Sequence, residues 1–158
     1  MAAGTKAAGR ILEQSAAELL RIWRLARAAS RSGVFPGLLD GVMASFFSSA
    51  GAAMAAGEPP EDAWKGASGM VRTSETLGAS ELTAEWAVAM EVLAAVCESF
   101  SAEPAVAEWL ARAVAGAERA TTGLSEAKAS APSRVLEVRI LSEMPPPRRV
   151  RASAEADG

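Results

Sequence analysis

Apolar residues recur at steps of three and four through most of the chain, which is the period of an amphipathic helix. Ile11, Leu12, Leu19, Leu20, Ile22, Trp23 and Ala26 form the first stripe and predict a helix over residues 7–30, closed by Ser32-Gly33. Residues 1–8 are small and uncharged apart from Lys6, and read as disordered. Residues 34–57, VFPGLLDGVMASFFSSAGAAMAAG, break the alternation: Asp40 is their one charge, and the small residues Gly37, Gly41, Ser45, Ser49 and Ala53 recur every fourth position. A helix apolar on nearly all sides is a buried one, so this segment is the expected centre of the fold. The small-residue row lies on the i±4 ridge, where another backbone can come close; since the row drifts around the helix, only Gly41, Ser45 and Ser49 can serve one partner.

Three further helices follow. Glu61 and Asp62 open the third, which ends before Leu77-Gly78, with Ala63, Trp64, Ala67, Met70 and Val71 on its apolar face. Ser80 caps the fourth, whose stripe is Leu82, Trp86, Ala89, Met90, Leu93, Val96, Cys97 and Phe100; Glu81, Glu85, Glu91 and Glu98 read as its solvated face. Pro104 opens the fifth, with Val106, Trp109, Leu110, Val114 and Ala117 inward and Gly123 ending or bending it. Trp23, Trp64, Trp86 and Trp109 supply one aromatic knob to each of four helices, and Phe46 and Phe47 serve the central one.

After a linker-like stretch at residues 127–132 the period changes to two. Leu136, Val138 and Ile140 share one face of a strand over residues 134–141, ended by Pro145, Pro146 and Pro147. Arg148, Arg149 and Arg151 follow in a basic end read as disordered. A lone strand needs partners for its backbone groups, which a sheet edge on another protein, or on a second copy of the chain, can supply. The expected architecture is therefore all-α: a compact bundle of about five helices over residues 1–130 around the small-residue-rich helix 34–57, with an extended C-terminal tail over residues 131–158.

Composition supports a helical core and narrows the chemistry. Half of the 158 residues are apolar but only 5% are aromatic, so Ala, Leu, Val and Met must fill the interior. There is no histidine, which removes imidazole catalysis and the usual zinc and haem ligands; the single cysteine, Cys97, excludes an internal disulfide and multi-cysteine metal sites. Neighbours Leu93, Val96 and Phe100 mark Cys97 as a buried structural thiol. No phosphate-binding or dinucleotide-binding glycine motif occurs. Ser125 and Lys128 stand in the S-x-x-K arrangement of Ser/Lys acylases without the accompanying elements, in a polar segment. No catalytic residue, metal ligand or cofactor is expected.

Charge is unevenly placed within a net −3. Residues 1–32 carry six bases against two acids, residues 33–133 thirteen acids against five bases, and residues 134–158 five arginines against four acids. Arg24, Arg27 and Arg31 fall on one face of the first helix, and pairing with the acidic body accounts for them better than nucleic acid does, although an acidic partner protein is the alternative. Asp40 reads as a carboxylate favoured by the helix dipole and reached by water. Residues 41–57 are 17 uncharged residues, near the lower limit of a membrane span, but rich in Ser, Gly and Ala, so no membrane role is expected. Two acids soon after the N-terminus are unlike a secretory leader, and a cytoplasmic location is expected.

Residues 16–123 weakly resemble the helical N-terminal sensor domains of stressosome co-antagonist proteins. The resemblance lies in an early Trp helix (residues 19–23), a helix leading into small residues (38–57), a short Trp helix ending in Val71-Arg72, a long helix (85–100) and a last one (106–123). It implies a globin-like fold without haem and signal input through protein contacts. The functional expectation is a non-enzymatic regulatory or scaffolding protein whose tail strand docks on a protein partner. Its contact residues would be Leu136, Val138, Arg139, Ile140, Arg148 and Arg149, together with Arg24, Arg27 and Arg31. The alternative is a bundle that senses a small molecule in an apolar internal pocket lined by Met43, Phe46, Phe47 and Met90.

Overall fold

A computed structural model of the chain describes residues 3–30 and 36–130. Among these, every regular element is helical: α1 (Ala3–Gln14), α2 (Ala16–Ala29), α3 (Pro36–Ala56), a 3-10 helix (Pro60–Gly66), α4 (Met70–Thr76), α5 (Ala79–Ser99) and α6 (Pro104–Ser130). The all-α architecture expected from the periodicity is the one observed. Residues 1–126 and 127–158 are separate units; the core lies in the first, and of the second only residues 127–130, the last turn of α6, are described. The proposed strand 134–141 and basic end lie outside the described residues.

Helix α3 is central, as its composition predicts. Leu39, Val42, Met43, Phe46, Phe47, Ala50, Ala53 and Met54 are buried, and the helix packs against α1, α2, the 3-10 helix and α4. The Phe46 ring also meets Trp86 of α5 edge-on, with centroids 4.9 Å apart. Trp23, Trp86 and Trp109 join this core, while Trp64 is half-buried. Among the described residues no helix is long and apolar enough to cross a membrane.

The expected ridge takes the backbone of the connection beyond α3 at Ser45 and Ser49, and a second close approach, by a helix, occurs on a different face of α3. A Cβ at Gly51 would stand 2.7 Å from Glu13 Cα, and one at Gly9 would stand 2.8 Å from the Gly51 carbonyl oxygen and overlap the Ala55 nitrogen. Helices α1 and α3 thus touch backbone to backbone, and only glycine fits at both positions. This contact explains why the chain is already helical at Ala3: Thr5, Gly9 and Leu12 are buried on one face of α1, although two of the three carry little apolar surface. Gly41 meets nothing within 4 Å, while Ser45 and Ser49 hydrogen-bond to the connection beyond α3.

The first helix is interrupted once. Ser15 departs from helical geometry, but its N–H still donates to Ile11 O at 2.9 Å and its carbonyl accepts from Leu19, so the ladder runs on into α2. The expected third helix is instead two short pieces. Pro59-Pro60 starts a 3-10 helix, and Gly66-Ala67-Ser68-Gly69 separates it from α4, with Gly69 at φ +82°. Gly123 neither ends nor caps α6, which runs on to Ser130 through part of the stretch read as a linker.

Candidate functional site

The charged residues expected on one face of the first helix have separate fates. Arg27 is 4% exposed, its Nε donating to Glu85 Oε2 at 2.8 Å and its guanidinium stacked 5.5 Å from the Trp23 ring centroid. Glu85, expected among the solvated glutamates of the fourth helix, is 1% exposed. Pairing of Arg27 with the acidic body is as expected, while Glu85 as a solvated residue and Arg27 as a partner contact are corrected: a long-range ion pair holds the two charged groups out of water and ties α2 to α5. Arg27 therefore offers nothing to a partner. Arg24 remains at the surface and pairs with Asp40 of α3, Nε to Oδ2 at 2.8 Å. Asp40 thus holds an arginine rather than standing in water, and among the described residues its buried Oδ1 has no hydrogen-bond partner. Arg31, Leu136, Val138, Arg139, Ile140, Arg148 and Arg149 lie outside the described residues.

Other buried polar groups are tied to structure. Trp86 Nε1 donates to Thr121 Oγ1 at 2.9 Å, and Ser125 Oγ donates to the Leu77 carbonyl at 2.6 Å; both hold α6 in place. Ser125 of the S-x-x-K arrangement is thus 7% exposed and engaged with backbone, while Lys128 is exposed. At the other end, Arg112 of α6 pairs with Glu61 of the 3-10 helix, whose backbone also closes on Gly116. The Glu61 carboxyl is held below the usual glutamate range, first by its own backbone N–H and then by Arg112. Trp23 and Trp109 each keep a buried indole N–H without a partner among the described residues.

The described residues form at least two surface grooves. One, of about 630 Å³, runs between α3 and the 3-10 helix; it is lined by Ser45, Ser48 and Ser49 on one side and by Asp62 and Lys65 on the other. The second, of about 320 Å³, lies at the elbow where α5 turns into α6, lined by Met90, Ala94, Cys97, Glu98, Ser101, Ala102, Ala107 and Leu110. Cys97 is therefore half-buried on a groove wall, not sealed in the core, and partial burial pushes its thiol above the ordinary value. Phe100, expected at the end of the buried stripe, is 78% exposed. The elbow explains the change: Ser101 takes a left-handed φ of 49°, Ala102 N–H closes on Cys97 O at 2.8 Å, and the stripe ends before Phe100 can turn inward. Of the residues expected to line an internal pocket, Met43, Phe46 and Phe47 fill the core, and Met90 lines the elbow groove.

The chain matches no known family model, no curated protein and no solved structure.

Proposed function

We propose that the chain is a non-enzymatic regulatory or scaffolding protein that works through protein–protein contact, with residues 134–141 docking as a strand on a partner's sheet edge. One observation supports this reading. The sequence of 134–141 has strand periodicity, while every regular element among the described residues is a helix, so none of them offers an edge to pair with. Leu136, Val138 and Ile140 would enter the partner's pockets, and Arg139, Arg148 and Arg149 would meet acidic groups at its rim. The resemblance to sensor domains points the same way, toward signal input by contact.

The test is affinity capture with the full chain and with a chain ended after residue 130. Partners held by the first and lost by the second are expected. Identical partner sets would overturn the docking of the tail.

A further inference from the structure

The outer face of α1 and α2 carries a ridge that points away from the core. Ile11, Gln14, Glu18, Arg21, Leu25 and Ala28 follow one another at steps of three and four, the spacing of a seam along which two helices pack. All six are exposed, on the side away from the buried Leu12, Leu19 and Trp23. The hydrogen-bond ladder runs on through Ser15, so the ridge crosses from α1 to α2 without a gap. A single exposed apolar residue is ordinary on a protein surface. Here two large ones, Ile11 and Leu25, are each 62% exposed on the same ridge, with a charged pair between them. Arg21 donates to Glu18 through Nη2 at 2.6 Å and through Nε at 3.0 Å, and both side chains are more than half exposed.

We infer that this ridge is the interface of a homodimer, with a second copy of the chain lying antiparallel across it about a two-fold axis that passes between Glu18 and Arg21. The order of the residues selects that occupant. With the axis there, Glu18 of each copy faces Arg21 of the other, Gln14 faces Leu25, and Ile11 faces Ala28. Both exposed apolar residues of each copy are then covered, and each of the two central charges meets its opposite. On the flanks nearest the axis Ala17 falls opposite Arg24, and Ser15 opposite Ile22, so no like charges meet there. A parallel copy would instead set Glu18 against Glu18 and Arg21 against Arg21, and a partner of one sign would be attracted by one of the two charges and repelled by the other. Exposed ion pairs add little by themselves, so the apolar contacts supply the attraction and the charges set the orientation. The ridge is separate from residues 134–141, so either contact can fail alone.

Sedimentation equilibrium of the full chain over a wide range of concentration would measure the association, and the mass is expected to rise from that of one chain toward that of two. Leu25→Asp and Glu18→Arg should each weaken the dimer by about tenfold or more. Both sites are at the surface, so the fold should stand, which circular dichroism would check. Exchanging the two charges within one chain, Glu18→Arg together with Arg21→Glu, should restore the dimer. Mixing the Glu18→Arg chain with the Arg21→Glu chain should give mixed dimers, while each alone stays largely monomeric. A chain that remains monomeric at every concentration, a dimer indifferent to Leu25→Asp and Glu18→Arg, or a double exchange that recovers nothing would overturn the proposal. So would a dimer that survives these changes and is lost when the chain is ended after residue 130, which would assign association to the tail.

Discussion

A carboxylate as deeply buried as Glu85 is tolerated only with a cation in contact, and Arg27 provides it from 58 residues away. Removing one charge leaves the other in the interior, so Arg27→Met or Glu85→Leu alone should destabilise the fold by about 3–5 kcal/mol, read as a lowered urea midpoint. Replacing both with apolar residues of similar volume should recover most of that loss, because the desolvation of two charges disappears along with their attraction. A double variant as weak as either single one would show that the remaining contacts of these side chains, and not the ion pair, dominate. Neither partner was identifiable in the sequence. Glu85 shares the helical register of Glu81, and Arg27 the register of Arg24 and Arg31; nothing local marks a residue whose counter-ion lies on another helix.

Where two helices touch through backbone, the smallest added group is felt. Gly9→Ala or Gly51→Ala should destabilise by about 1–3 kcal/mol, because the new methyl overlaps backbone that has no rotamer to yield. Gly41→Ala and Gly123→Ala, where a methyl meets nothing within 4 Å among the described residues, should instead stabilise by about 0.5–1 kcal/mol through helix propensity alone. Thermal unfolding of the four variants separates the two classes; a uniform gain would mean that α1 does not cross α3 at these glycines. This crossing is also what periodicity could not reveal. Large apolar side chains announce a helix face, so α3 and α5 were legible almost to their ends, α6 up to Gly123, and α2 as the later part of one longer helix. The α1 face consists of Thr5, Gly9 and Leu12, and its complementarity to Gly51 is a matter of missing atoms. The break between the 3-10 helix and α4 was written in Gly66 and Gly69, but their weight against the apolar stripe depended on the packing of Gly66 against Ser49.

The same scale holds a pH effect. Because the Glu61 carboxyl is lowered in the folded state, first by its own backbone N–H and then by Arg112, these contacts add stability above the ordinary glutamate value near 4.5, and that addition is lost as pH falls from there through the lower folded value. Glu61→Gln should therefore lose less stability than the parent on acidification below that value. The difference should be small, since both groups are largely solvated, and equal acid sensitivity of the two proteins would remove Glu61 from the account.

At the scale of the molecule, the charge asymmetry is resolved within the first unit: the basic first helix pair contacts an acidic body through Arg24–Asp40 and Arg27–Glu85. Among the described residues the buried apolar core extends from Leu12 to Ala117 and Ser125 is the last buried polar residue, so all of it precedes residue 127. A chain ended after residue 130 keeps this core and the whole of α6. It should unfold cooperatively, with a midpoint within about 4 °C of the full chain, less than about 1 kcal/mol for a domain of this size. This comparison determines what the capture experiment means. If the shortened chain keeps its stability and loses its partners, the tail carries the contact itself. If its midpoint falls several times further, residues 131–158 contribute to the fold, and a lost partner would report damage to the helical surface instead of a missing strand. The elbow groove tells the two apart independently: maleimide capping of Cys97 in the shortened chain should match the full chain when the bundle is intact, and should accelerate when α5 and α6 loosen.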